Sequence, residues 1–362
     1  MKMSRLLSLI LALCMLFTLT ACKPDTEDTA KPSPSQSAPS PAPSQSAEPG
    51  KPESPAPSQS AEPARSELHF TVLSGPTGVG AAKLLSDVDA GDAPYEYSIA
   101  AVNDEVTAML ANGETDLAAV ASNVALNLYN KTNGAVTCIA LGTLGVLHIL
   151  ESGGGTSIQS VKDLAGKTIL APGQGANPEY ILRYVLSENG LDPESDVELE
   201  FYTDASKITA KLLSGEAECA MLPVPAATAA IAKSGGSVRA ALDLTEEWNA
   251  LGTGGQLVMT AVVARTEFLN ENPDAVDAFL SDYAASIEYV KANVQECGEL
   301  IAGYGIAPSA AIAAKAIPQC NLVCITGSEM APTIDGYYSA LYDANPKSIG
   351  GSLPDDAFYY VP

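Results

Sequence analysis

The chain has 362 residues, a formal charge of −24, 46% apolar residues and 17% charged residues. That composition is globular, and the length exceeds what one hydrophobic core usually serves, so two lobes are expected. With 19 basic residues against 43 acidic ones and no basic stripe, a phosphate backbone is repelled, and nucleic acid is not an expected partner.

Lys2 and Arg5 precede an apolar run from Leu6 to Leu19, which meets Leu19-Thr20-Ala21-Cys22. The run is shorter than the roughly 20 residues of a spanning helix, so residues 1–21 are predicted to be a secretory signal. The Leu-Thr-Ala-Cys end resembles the lipobox of bacterial lipoproteins. That resemblance implies an acyl-bearing Cys22 as mature N-terminus, palmitate among its chains, and a membrane anchor on the extracytoplasmic face. Residues 22–66 follow as a tether, in which Pro-Ser-Gln-Ser-Ala occurs at 34–38, 43–47 and 57–61. Eleven of the chain's 25 prolines fall there, with almost no large apolar residue, so the segment cannot offset its own ordering entropy.

The body from Glu67 onward keeps the acidity, with 13 basic and 37 acidic residues. It contains an echo at an offset of 102 residues: Val106–Val120 lies over Ile208–Leu222 with six of 15 positions identical. Both copies read as a short helix, a glycine stop (Gly113, Gly215), an acidic turn and a buried strand. Upstream, Tyr95 to Val102 and Val197 to Tyr202 read as strands. So do Leu68 to Leu73 and Lys167 to Ala171, which run into glycine-bearing turns. Each lobe is thus predicted to be a doubly wound α/β unit with a parallel sheet. Thr143 to Glu151 is the expected outward crossing and Gln256 to Ala264 the return. The first lobe then comprises 67–150 and 257–362, and the second 151–256. A helix with Asn272 as cap, Pro273 at its first position and a stripe from Val276 to Val290 should follow the return. Asn177-Pro178-Glu179 should open a helix in the same way.

Chemical motifs are sparse. The two histidines, His69 and His148, lack ligand-spaced partners, so no metal site is expected. There is no nucleophile elbow, no Ser-x-x-Lys pair and no phosphate-binding loop of the NTPase kind, and no cofactor is called for. Beyond Cys14 and Cys22 five cysteines remain, at 138, 219, 297, 320 and 324; one disulfide and buried free thiols are both open.

In open α/β sheets ligands sit beyond the carboxyl ends of the strands, where helix starts present unpaired N–H groups. The turns meeting that description offer Thr77 and Gly78, then Ser122 and Asn123, in the first lobe. In the second they offer Gln174, Gly175, Ala176 and Asn177, then Pro223 and Val224. Tight βα turns need glycine and small residues on structural grounds alone, but four of them on two lobes that face each other point to one ligand cleft. None carries Lys or Arg, so a small anion or polar group held by helix ends, or a neutral heterocycle, is the expected solute. Asn177→Ala or Gln174→Ala should weaken binding with the fold intact. Trp248, the single tryptophan, precedes the return crossing and is expected to pack at a hinge or line the cleft.

The lipobox, the tether, Gly75-Pro76-Thr77-Gly78, Ser160 to Ile169 (SVKDLAGKTI) and Gly173 to Tyr180 (GQGANPEY) together resemble type II substrate-binding proteins of ABC importers. The resemblance is closest to the nitrate/sulfonate/taurine and thiamine-precursor group. It implies a periplasmic-binding-protein fold with two inter-lobe crossings and a monomeric receptor that closes on a small solute (a small anion, a sulfonate or a pyrimidine-like molecule). It also implies delivery to an ABC permease, and binding in place of catalysis. Rival readings are an enzyme on the same fold, like the menaquinone-pathway enzymes, and a surface sensor.

Overall fold

The computed structural model describes residues 68–362. The expected signal 1–21, the Cys22 anchor, the tether 22–66 and Glu67 lie outside the described residues. No helix among the described residues is long and apolar enough to cross a membrane.

Among the described residues eleven strands form two sheets. In chain order they are β1 (Leu68–Leu73), β2 (Tyr95–Ala100), β3 (Leu117–Ala121), β4 (Val136–Leu144), β5 (Leu147–Glu151) and β6 (Thr168–Pro172). They continue as β7 (Glu198–Tyr202), β8 (Cys219–Pro223), β9 (Arg239–Asp243), β10 (Val258–Arg265) and β11 (Leu322–Ile325). The first sheet runs β11-β4-β10-β3-β1-β2 and the second β7-β6-β8-β5-β9. At the heart of each is a parallel trio, β2-β1-β3 and β7-β6-β8, in the same spatial order relative to the chain. The fold is the expected two-lobed α/β architecture, but the sheets are mixed rather than purely parallel. β10 runs antiparallel to β3 and β4, and β5 antiparallel to β8 and β9. These are the crossing strands, which enter a sheet from the other lobe and so run against its parallel trio.

The echo proves to be a structural repeat. Helices Asn103–Asn112 and Ala205–Ser214 both end on a glycine in the left-handed conformation, Gly113 at φ 71° and Gly215 at φ 76°. Each leads into a strand that is almost wholly buried, as covered sheets require.

Three local expectations change. The outward crossing is two strands, β4 in the first sheet and β5 in the second, separated at Gly145 and Val146; Gly145 lies so close to Thr245 that a Cβ there would collide with its Oγ1. Asn272 does not cap helix Pro273–Ala292 through its side chain, which instead donates to Phe268 O at 3.2 Å and closes the preceding helix. The stripe Val276, Phe279, Leu280, Tyr283, Ile287 and Val290 is buried as predicted. Helix Asn177–Glu188 has Ala176 at its cap position, and the Asn177 side chain is used elsewhere. All five described cysteines are free thiols.

Candidate ligand-binding cleft

A cleft of about 850 Å³ opens between the two sheets, within the usual span of small-molecule sites. Its first-sheet wall is the turn after β1 (Ser74, Gly75, Pro76) with the segment from Ala302 to Pro308. Its second-sheet wall takes the carboxyl ends of β6 (Pro172) and β8 (Pro223, Pro225) and the turn after β7 (Thr203 to Ser206). One face each of helices Ala205–Ser214 and Ala226–Lys233 completes that wall, through Thr209, Leu213 and Ala229. Strand ends from both lobes therefore converge where the doubly wound topology requires.

Beside the cleft lies a polar knot that joins the lobes. Asn177, fully buried at the start of helix Asn177–Glu188, reaches from the second sheet's side to the first. Its Oδ1 accepts from the backbone N–H of Asn123 at 3.1 Å and from the Tyr337 hydroxyl at 2.5 Å. Its Nδ2 donates to Ser122 Oγ at 3.0 Å and to Met259 O on β10 at 2.8 Å. Ser122 passes a proton donor on to Val258 O at 2.6 Å, and Asn123 Nδ2 donates to Ser348 O at 3.2 Å. Burial pushes the Tyr337 hydroxyl well above its ordinary pKa, so it stays a donor throughout the physiological range.

The sequence-predicted residues thus divide. Ser122, Asn123 and Asn177 meet, but they meet one another. Pro223 lines the cleft, whereas Val224 is buried and gives its N–H to Val146 O at 3.0 Å. Thr77 is buried, and a Cβ on Gly78 would meet Leu73 O at 2.7 Å and Ile306 Cδ1 at 3.1 Å, which makes that turn a packing contact behind the cleft wall. Gln174 and Gly175 are exposed, and Ala176 is half-buried with its N–H held by Gly173 O at 3.0 Å. Trp248 is fully buried, its ring centroid 5.1 Å from Tyr184 and 5.5 Å from Tyr337, and its Nε1 donates to Gly255 O. It packs where the chain returns to the first sheet.

Sequence reasoning missed the turn after β7 and the segment from Ala302 to Pro308. The echo held the signal for the first, because Asp204 occupies the helix start corresponding to Val102 and caps it by accepting from Ser206 N at 2.8 Å. The second follows two helices with no internal counterpart, and no motif marks it.

Comparison with solved structures places the fold among substrate-binding proteins of ABC importers. An ABC transporter protein from Parabacteroides distasonis is 24% identical over 82% of this chain and 98% of its own, with a TM-score of 0.67. The periplasmic aliphatic sulphonate binding protein SsuA from Escherichia coli is 15% identical, over 82% and 92%, with a TM-score of 0.65. The alkanesulfonate-binding protein SsuA from Xanthomonas axonopodis pv. citri, bound to MOPS, is 16% identical, over 82% and 96%, with a TM-score of 0.61. Among curated proteins none matches. The family model described as NMT1/THI5 like matches residues 96–297, which span both sheets and one wall of the cleft. The chain belongs to the NMT1/THI5-like family.

Proposed function

We propose that this protein is an extracytoplasmic solute-binding lipoprotein that captures a small molecule between its lobes and hands it to an ABC import permease. The observation that carries the reading is the 850 Å³ cleft walled by strand ends of both sheets. The bodies that close would be 67–150 with 257–362, and 151–256, turning about the β4–β5 junction and the loop before β10. Pro223 would contact the solute, Thr77, Gly78 and Val224 would back the cleft walls, Ser122, Asn123 and Asn177 would tie the lobes together, and the turn at Gln174, Gly175 and Ala176 would come to the solute only on closure. Cys22 would carry the acyl anchor, and the proline-rich tether would hold the monomeric receptor clear of the membrane.

The test is a thermal-shift panel of amino acids, sulfonates, amines, sugars and pyrimidines against the mature chain, repeated on Ala226→Trp, which fills the cleft. A ligand of the folded state raises the melting temperature in proportion to ln(1 + [L]/Kd). At least one solute should shift the parent protein and not the variant, without being chemically altered. No shift from any solute, or a shift the tryptophan does not abolish, removes the receptor reading. Turnover of a bound solute would favour an enzyme instead. Lipidation is checked separately by the mass of the mature N-terminal peptide.

A further inference from the structure

We infer that the cleft takes an aliphatic solute that is uncharged or carries an amine, and that it turns oxyanions away. This rests on the receptor reading above and names the solute class of the same cleft. Helix starts hold anions through N–H groups that the helix itself leaves unpaired. At the cleft wall the helix start after β7 has spent one of them on the chain itself, since Ser206 N–H goes to Asp204 Oδ1 at 2.8 Å; outside the cleft lining, Gly175 N–H goes to Glu179 Oε2 at 2.8 Å and Asn123 N–H to Asn177 Oδ1 at 3.1 Å. Proline removes further donors at the cleft wall, since Pro76, Pro172, Pro223 and Pro225 have no N–H to offer.

What replaces the amides is aliphatic surface and one acid. Pro308, Ile306, Leu213 and Ala229 present carbon to the cleft, and the lining has no arginine and no aromatic ring. Asp204 sits at the mouth as a carboxylate, and the Ser206 hydroxyl and N–H hold it below the ordinary carboxylate range, so it is charged at neutral pH. An anion entering beside it meets a like charge, and the −24 of the whole chain works the same way at longer range. Lys233, the one cation of the lining, is exposed at the end of its helix; Asp204 is exposed too, so water screens both charges and the share of the discrimination that Asp204 carries is about threefold.

The experiment is calorimetry on the mature chain at low salt and neutral pH, with butyl, isopentyl and cyclohexylmethyl skeletons each supplied as amine, alcohol and sulfonate. In every skeleton that binds, amine and alcohol should exceed the sulfonate by about tenfold or more. Asp204→Asn keeps the helix cap, since asparagine caps as well as aspartate, and should narrow the amine-to-sulfonate ratio at least about threefold. A sulfonate that binds tightest overturns the inference and leaves the receptor reading standing. The same holds if none of the nine probes binds while the broad thermal-shift panel finds a ligand. A ratio unchanged in Asp204→Asn removes Asp204 as the discriminating charge and with it the exclusion argument. If neither the nine probes nor the broad panel binds, both readings fail together.

Discussion

The carboxamide of Asn177 and the hydroxyl of Tyr337 form a 2.5 Å hydrogen bond between the start of a second-lobe helix and the last long helix of the first, with both residues fully buried. Since the same carboxamide also serves Asn123 N–H, Ser122 Oγ and Met259 O, its removal strands several buried groups at once. Each unsatisfied buried group costs about 1–3 kcal/mol, so Asn177→Ala should lose about 3 kcal/mol of stability, read from the urea midpoint. Gln174→Ala, at an exposed position, should stay within about 0.5 kcal/mol. A loss below about 0.5 kcal/mol for Asn177→Ala would mean that the lobes do not meet through this knot in solution.

How far the sequence could be read follows from the same residue. Periodicity, glycine stops and the 102-residue echo are local signals, and they located both parallel trios and the helices after them. Asn177 next to Pro178 carries the local signature of a helix opening, and it does open one. Its side chain, however, is claimed by Tyr337, 160 positions away, and no local pattern encodes that. The site suffered most from this limit. A turn can be recognised as a helix start from its own residues, but whether its N–H groups are free depends on partners such as Glu179 Oε2 or Asn177 Oδ1. The strand break at Gly145 was hidden for a like reason, because the residue packed against it, Thr245, lies on another element.

Glu151 is the second buried centre to test. Its carboxylate accepts from Ser157 N at 2.8 Å, from Ser157 Oγ at 2.5 Å, and from Arg239 Nε and Nη2 at 2.9 and 2.6 Å. Burial alone would raise its pKa, but the Ser157 and Arg239 contacts outweigh burial and bring it below the ordinary 4.5. A carboxyl whose folded pKa is depressed adds stability that is complete above the unfolded value and disappears as pH falls through the folded one. Glu151→Gln should therefore cost about 2 kcal/mol at pH 7, with the gap to the parent closing only below about pH 4.5. Denaturant midpoints at a series of pH values read it; a gap that does not narrow as pH falls below about 4.5 would place the effect in packing rather than charge.

The thiols give a chemical test of the core. Burial pushes Cys138, Cys219 and Cys320 up to about 12, and Cys297 and Cys324 up to about 11, from an ordinary 9.0. The thiolate is the reacting species, so a disulfide reagent at pH 8 should label the native protein slowly, Cys324 first because it alone is not fully buried. After denaturation under non-reducing conditions all five should react. Fewer would reveal a disulfide that the geometry does not show.

The return from the second lobe to the first is held by a backbone contact that a single methyl group would break. A Cβ on Gly336, in helix Met330–Ala344, would stand 2.3 Å from Gly255 N and 2.7 Å from Gly254 C, atoms that cannot rotate away as a side chain could. Gln256 N–H donates to Thr333 O of the same helix at 2.9 Å, and Trp248 Nε1 to Gly255 O at 3.1 Å, so the loop, the helix and the tryptophan form one unit. Gly336→Ala should cost about 1–3 kcal/mol, as overpacking does, although alanine is the better helix former. It should also red-shift the emission of the single tryptophan, since Trp248 loses its anchor and meets water. Gly303→Ala, which has open space and an ordinary φ, should be neutral or stabilising and leave the emission unchanged. If lobe closure turns on this loop, solute affinity in Gly336→Ala should change more than the loss of stability accounts for, which calorimetry well below the melting temperature separates from unfolding.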